Sequence, residues 1–171
     1  MNGNEQYMDL IYILSRRPVA EADVYGDSEH RDIRGIVRFY PAPRGTLVYA
    51  RISGLPSPAG KCKSPVFGFH IHEGAECSGH DEGSFSHVMA HYNPGGCEHP
   101  HHAGDMPPLF GNGGFALSIF LTDRFTPDEV AGRTVIIHSD PDDFTTQPSG
   151  NSGQKIACGE IRALGRRRRR R

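Results

Sequence analysis

The residues best suited to chemistry in this sequence lie in one loop-like stretch, 91–105, which reads HYNPGGCEHPHHAGD. It carries four histidines, one cysteine and two carboxylates. Pro94, Gly95 and Pro100 exclude a regular helix or a central strand, so the stretch has no apolar core of its own. Imidazole and carboxylate groups that close on one cation would order such a loop, because metal binding then contributes to folding. The plain alternative is a polar, histidine-rich surface loop.

Three more histidines lie in two strand-like segments on either side of this loop. His70 and His72 are two residues apart in PVFGFHIH, so both side chains leave the same face and can share a cation. A surface H-x-H pair is the alternative. His138 ends the segment VIIH, directly before a polar loop, where a rigid scaffold can supply a distant ligand.

These histidines predict two metal sites with different donor chemistry. Four imidazoles suit copper, and this set is His70, His72, His91 and His138. Three imidazoles and a carboxylate are typical of zinc, and this set is His91, His99, His102 and Asp105. His91 belongs to both sets because each of its ring nitrogens could face one metal.

The elements that must position these side chains are short strands. The 21 glycines and 13 prolines favour a turn-rich, all-β chain. Extended segments are predicted at 20–25, 33–40, 46–53, 65–72, 115–125, 134–138 and 156–164, with one helical turn at 126–130. The segments 33–40 and 46–53 are predicted to form a hairpin. Residues 73–112 and 139–154 are two long loops. This pattern predicts an antiparallel sandwich or barrel.

At 171 residues the chain fits one domain. We expect a loosely ordered leader at 1–17, the domain at 18–164 and a basic tail at 165–171. Six of the 19 basic residues lie at Arg166–Arg171, which leaves 13 against 20 acidic residues in the rest of the chain. The body is therefore acidic. The tail is either a solvated, disordered segment or a contact for polyanions such as nucleic acid, glycans or acidic membranes.

Neither end of the sequence predicts a secretory or membrane segment. The apolar patch Leu10–Leu14 follows acidic residues and precedes Arg16 and Arg17, which is the wrong charge order for a signal peptide. No run reaches the roughly 18 apolar residues of a membrane helix. As written, the chain is expected in the cytoplasm, with export by another route left open. Four cysteines do not by themselves indicate pairing, and they are Cys62, Cys77, Cys97 and Cys158.

Five separated motifs occur in a fixed order: GFHIHEG, HYNP, HHAGD, GRTVIIH and GNSGQKIACGEI. Together they resemble the copper/zinc superoxide dismutase family, closer to its bacterial branch, over roughly Val24 to Ala163. The resemblance implies an eight-stranded antiparallel Greek-key β-barrel with two long loops that hold copper and zinc. It also implies an enzyme that converts superoxide to oxygen and hydrogen peroxide by redox cycling of copper.

The resemblance also assigns roles to individual residues. It gives copper to His70, His72, His91 and His138, and zinc to His91, His99, His102 and Asp105. It makes His91 the bridging ligand that takes and returns a proton. It pairs Cys77 with Cys158 in a disulfide, and it makes Asp142 the carboxylate that links a copper-ligand histidine to a zinc-ligand histidine.

This sequence departs from the family in two places and leaves the role of one cysteine open. Lys155 stands where most relatives have an arginine beside the copper. The charge is kept, but lysine is a point charge without the planar fork of arginine, so we expect a reduced rate rather than lost activity. The short spacing from His99 to His102 leaves His101 as an alternative zinc ligand. Cys97 could ligate zinc, pair with Cys62 or remain a thiol.

The sequence is also compatible with two rival functions. A non-catalytic module of the same fold would bind copper or zinc stoichiometrically without dismutation. An anion-binding adaptor would act through Arg166–Arg171 instead of the histidines. Oligomeric state cannot be read from the pattern of residues.

Overall fold

A computed structural model describes residues 10–57, 65–79 and 84–165. Along these residues the strands are β1 Ala20–Gly26, β2 Arg34–Ala42, β3 Gly45–Ser53, β4 Val66–Phe67, β5 Phe69–His72, β6 Leu109–Phe110, β7 Phe115–Thr122, β8 Thr134–His138, β9 Lys155–Glu160 and β10 Arg162–Ala163. The helices are α1 Leu10–Ser15 and α2 Pro127–Val130, with a single 3₁₀ turn at Ser86–Val88. Neither helix has the length and apolar character needed to cross a membrane.

Eight of these strands form one curled antiparallel sheet. The order is β5-β8-β9-β1-β2-β3-β7, and β10 lies beside β1. The predicted hairpin is present, because β2 and β3 pair from Arg34 opposite Ser53 to Ala42 opposite Gly45. The prediction of an all-β antiparallel barrel is confirmed.

Alternation along the strands places one side of the sheet in the core. Val37 and Phe39 of β2 face inward with Val48, Ala50 and Ile52 of β3, and all five are fully buried. The residues that alternate with them along each strand face outward, as expected for strands with one face towards the core. The core thus provides a rigid support beneath the strands that carry histidines.

The predicted strand at 65–72 is divided in two at Gly68. The Gly68 amide donates to the Asp140 carbonyl at 2.8 Å, and its carbonyl accepts from the His138 amide at 2.8 Å. A Cβ at this position would lie only 2.7 Å from the Ser152 Cβ, so glycine allows loop 139–154 to pack closely. The first half, β4, then pairs with β6 inside a region that the sequence predicted to lack strands.

The predicted leader is ordered in its second half. Leu10–Ser15 forms α1, whose Ile13 is buried against Tyr40 and Leu47 on the outer face of the β2–β3 hairpin. Residues 1–9 and the basic tail 166–171 lie outside the described residues. The division into leader, domain and tail therefore stays a prediction.

Candidate metal centre

The two ends of loop 91–105 run along the free edge of β5. The Tyr92 amide donates to the Ile71 carbonyl at 2.8 Å, and the Ile71 amide donates to the Gly104 carbonyl at 2.9 Å. These contacts place His91 opposite His72 and Asp105 opposite His70. The other edge of β5 pairs with β8, which ends at His138. One strand therefore gathers residues from three separate parts of the sequence.

The predicted copper set converges in the structure. One ring nitrogen from each of His70, His72, His91 and His138 lies within 4.8 Å of the others, and all four side chains are buried. The Nε2 atoms of His72 and His138 are 3.4 Å apart. The sheet thus brings the four imidazoles close enough to surround a single ion.

The other nitrogen of each strand histidine is held by a partner outside the set. His70 Nε2 lies 2.8 Å from Asp142 Oδ2, and His72 Nδ1 lies 2.8 Å from the Met89 carbonyl. His138 Nδ1 faces the Gly153 carbonyl at 3.5 Å. Such contacts fix the orientation of a metal-ligating ring and its tautomer.

The predicted zinc set also converges. Donor atoms of His91, His99, His102 and Asp105 lie within 4.8 Å of one another. Both Asp105 oxygens take part, with Oδ1 2.8 Å from His91 Nδ1 and Oδ2 3.1 Å from His99 Nδ1. His102 Nδ1 is 3.3 Å from the same Oδ2. Three imidazoles and one carboxylate are a common donor set for zinc.

His91 belongs to both sets through different ring nitrogens. Its Nδ1 faces Asp105 in the zinc set, which leaves Nε2 for the copper set. The His91 and His70 ring centroids are 4.0 Å apart. This is the shared position that the sequence analysis assigned to His91.

Ring nitrogens without a hydrogen-bond partner show whether these side chains are suited to bind metal ions. Four of them are buried without a hydrogen-bond partner, namely His70 Nδ1, His91 Nε2, His99 Nδ1 and His102 Nδ1. An unsatisfied buried polar atom costs about 1–3 kcal/mol. The nitrogens of His99 and His102 approach Asp105 without hydrogen-bond geometry. All four would be satisfied by cations at the two sites, so the donor sets fit the metals that the sequence predicts.

Asp142 connects the two sets. It is buried, and its Oδ1 lies 2.9 Å from His99 Nε2 while its Oδ2 contacts His70. Gly150 makes room for this pair, because a Cβ there would overlap Asp142 Oδ1 and the backbone φ is +68°. One carboxylate from loop 139–154 therefore orients a histidine of each set, as the resemblance implied for Asp142.

Burial controls the charge of these groups. Desolvation lowers the pKa of His70, and it lowers that of His72 well below its ordinary value. Desolvation, with repulsion from His70, lowers the pKa of His138 to about 3. Burial alone would raise the pKa of Asp142, but hydrogen bonds from His70, Phe144 and His99 outweigh it and lower the value to about 2. The imidazoles of His70, His72 and His138 are thus neutral at pH 7, the form that binds metals.

Lys155 lies at a cavity beside the copper set. The cavity has a volume of about 470 Å³ and is lined by His72, His91 and His138 together with Lys155 and Met89. Lys155 begins β9 next to the end of β8, where it pairs in register with His138. A cation at this position can attract a small anion towards the histidines.

The remaining predicted residues have different outcomes. His101 is exposed and lies outside both donor sets, so the geometry favours His102 for zinc. Cys77 and Cys158 form the predicted disulfide. Cys97 is an exposed free thiol. Its suggested partner Cys62 lies outside the described residues, and that pair is untested.

Three supports of the site were not predicted from the sequence. Met89 acts through its backbone carbonyl, which any residue could provide, so no sequence signal marks it. Gly150 lies in PSGNSG, where a glycine-rich turn was visible but its partner was not. Arg124, whose guanidinium contacts loop 91–105, is far from the motifs and carries no local signal.

Comparison with known proteins agrees with this geometry. The family model described as copper/zinc superoxide dismutase (SODC) matches residues 33–161, more than half of the chain. A protein named superoxide dismutase [Cu-Zn] from Deinococcus radiodurans is 32% identical over 166 residues, covering 86% of each chain. Superoxide dismutase [Cu-Zn] 2 from Aquifex aeolicus is 36% identical over 133 residues, covering 69% of this chain and 72% of that protein. With eight antiparallel strands and a histidine shared between two donor sets, this chain belongs to the copper/zinc superoxide dismutase family.

Proposed function

We propose that this protein is a copper/zinc superoxide dismutase that converts two superoxide anions and two protons to oxygen and hydrogen peroxide. The single observation that carries the proposal is the position of His91 between two buried sets of four donors. A storage site needs only affinity for one ion. A histidine that joins a redox-metal set to a zinc set provides a group whose proton can move during each cycle.

The donor chemistry assigns one metal to each set. Copper is assigned to the four imidazoles of His70, His72, His91 and His138, because this donor set suits it. Zinc is assigned to His91, His99, His102 and Asp105. When bound, copper supplies one-electron transfer in both directions and zinc supplies a fixed positive charge.

His91 is the proposed proton carrier. In the half-cycle that releases oxygen, Nε2 of His91 takes up a proton. In the second half-cycle that proton passes from Nε2 to the superoxide that becomes hydrogen peroxide, and a second proton comes from solvent. His91 Nδ1 lies 2.8 Å from its fellow zinc-set donor Asp105, so a zinc ion held by this set would keep Nε2 facing the copper set.

Lys155 is the proposed anion guide. Superoxide carries one negative charge, and the body of this protein is acidic, so a local cation at the cavity must favour entry. Lys155 lines the cavity that leads to His72, His91 and His138. Its role is to raise the local concentration of the anion and orient it towards the redox metal.

Dismutation by the full chain reconstituted with copper and zinc tests the proposal. We expect rapid dismutation that falls to the background rate in His138→Ala, because one of four copper donors is lost. His87→Ala is the matched control, since His87 is exposed and contacts Ser78 outside both sets. Stoichiometric metal uptake without dismutation in the wild type would instead identify a non-catalytic metal-binding module.

The tail and the cellular location are separate proposals. Six consecutive arginines support contact of Arg166–Arg171 with polyanions, through salt-sensitive binding to phosphate or sulfate. Loss of heparin retention after removal of this tail, with dismutation unchanged, would support the contact. The Cys77–Cys158 disulfide supports an oxidising compartment rather than the cytoplasm expected from the sequence.

A further inference from the structure

Arg124 connects the barrel to the loop that carries the zinc set. It follows β7 and precedes α2, outside the five motifs quoted above. Its Nη1 atom donates to the carbonyl oxygens of Pro100 at 3.0 Å, His102 at 3.2 Å and Asp105 at 3.2 Å. One guanidinium therefore contacts three backbone oxygens within six residues of loop 91–105.

The backbone beneath Arg124 is anchored in the core. Its amide donates to Thr122 Oγ1 at 3.2 Å. The next residue, Phe125, is 3% exposed and packs edge to face against Phe39 with centroids 6.2 Å apart. The Phe125 carbonyl accepts from the buried Thr46 hydroxyl at 2.7 Å. Arg124 thus extends from a fixed point, although its own side chain reaches the surface.

The three carbonyls belong to a segment that lacks other regular structure. Two of them are the backbone oxygens of His102 and Asp105, whose side chains are donors of the zinc set. Fixing the carbonyls of these residues fixes the Cα positions from which their side chains start. The contacts from Arg124 to this loop end on backbone oxygens, so Arg124 acts on the geometry of the set and leaves the donor atoms available.

We infer that Arg124 is a positioning residue for zinc, holding segment 100–105 so that His102 and Asp105 face a common centre. The inference rests on the proposed assignment of zinc to this set. All three contacts come from Nη1, which the planar guanidinium holds in a fixed orientation, whereas a lysine offers a point charge on a flexible stem. Groups that orient metal ligands typically contribute 10–100-fold to metal affinity.

Zinc competition with a chromophoric chelator, using the full chain with the disulfide intact, tests this role. We expect Arg124→Ala to weaken zinc binding by about tenfold, the lower end of that range because the side chain is exposed. Arg124→Lys should recover part of the loss. Arg162→Ala is the matched control, because it removes an exposed arginine paired with Asp23, away from both donor sets.

Cobalt substituted at the zinc set gives a second readout. Its visible absorption depends on ligand geometry, so Arg124→Ala should change the spectrum while Arg162→Ala should not. Thermal unfolding of the metal-free variants separates a general loss of stability from a loss of positioning. Wild-type affinity and spectrum in Arg124→Ala, or an equal loss in Arg162→Ala, would overturn the role of Arg124. Absence of tight zinc binding in the wild type would overturn the proposed function itself.

Discussion

The copper set and the zinc set share His91 but are built in different ways. Three members of the copper set, His70, His72 and His138, lie on paired strands whose register is fixed by the core. The zinc set lies entirely in loop 91–105, whose backbone and rings are held by polar contacts with β5, Arg124, Asp142 and the Gln147 side chain. The sheet thus preorganises the first set, and a few polar contacts organise the second.

This difference shows where the two sets depend on each other. Asp142 comes from loop 139–154 and orients His70 on a strand and His99 in a loop. Asp142 therefore supports both the copper set on the strands and the zinc set in the loop. Changes at Asp142, at the strand histidines and at Lys155 therefore affect the sheet and the loops to different degrees.

The largest effect is expected from Asp142→Asn. Both Asp142 oxygens face Nε2 atoms, of His70 and His99, which must carry hydrogens when the Nδ1 atoms face metals. Asparagine offers one oxygen and one NH₂ group, so it can accept from one ring but repels the other. We expect affinity for zinc and copper to fall by about 10–100-fold, as measured by chelator competition.

Asp143→Asn is the matched control for that experiment. Asp143 lies in the same loop, and its oxygens accept hydrogen bonds from Thr145 and Thr146 instead of from either metal set. The substitution makes the same change in charge. We expect zinc to be lost more readily than copper in Asp142→Asn, because the strand still holds His70. Equal metal affinities in the two variants would contradict the linking role of Asp142.

The sequence was most informative where the spacing of residues directly reflects backbone geometry. An H-x-H pair on a strand must present both rings on one face, so His70 and His72 were predictable from period two. The loop was predictable because Pro94 and Pro100 exclude regular structure. The contact between strand and loop was not predictable, because the pairing of β5 with both ends of loop 91–105 joins residues that are distant in sequence.

Other features of the site depend on contacts that leave no pattern in the sequence. The Met89 carbonyl and the Arg124 guanidinium contact residues that only the folded chain brings near them. The segment 65–72 was predicted as one strand, and no pattern in it showed that the strand would divide at Gly68. Helix α1 was missed because its single buried residue, Ile13, gives no helical period.

Acid should destabilise the metal-free protein through the strand histidines. The folded pKa values of His70, His72 and His138 are lowered, so below the unfolded value of about 6.5 the unfolded chain binds more protons. Stability is therefore fully present above that pH and is lost as the pH falls towards the folded values. Each histidine contributes up to about 1.4 kcal/mol per pH unit, a tenfold change in the unfolding equilibrium.

Urea unfolding of the metal-free protein between pH 7.5 and 4.5 measures this slope. The lowered carboxylate pKa values of Asp105 and Asp142 affect stability mainly below about pH 5, so they contribute little over most of this range. His138→Gln should reduce the slope, because glutamine does not titrate. The same slope in this variant would mean that His138 does not contribute to acid sensitivity.

The smallest effect is expected at Lys155, which acts on the anion rather than on the donor sets. Lys155→Ala should lower the second-order rate constant of dismutation by about tenfold and reduce its dependence on ionic strength, because local electrostatic attraction is lost. Lys155→Arg should keep the charge and, through its fork, equal or exceed the wild-type rate. Arg162→Gln is the control for a distant cation, since Arg162 pairs with Asp23. Pulse radiolysis at several salt concentrations measures all four proteins. A rate in Lys155→Ala that matches Arg162→Gln would show that the histidine cavity attracts superoxide without this side chain, and that the lysine is an ordinary residue at the start of β9.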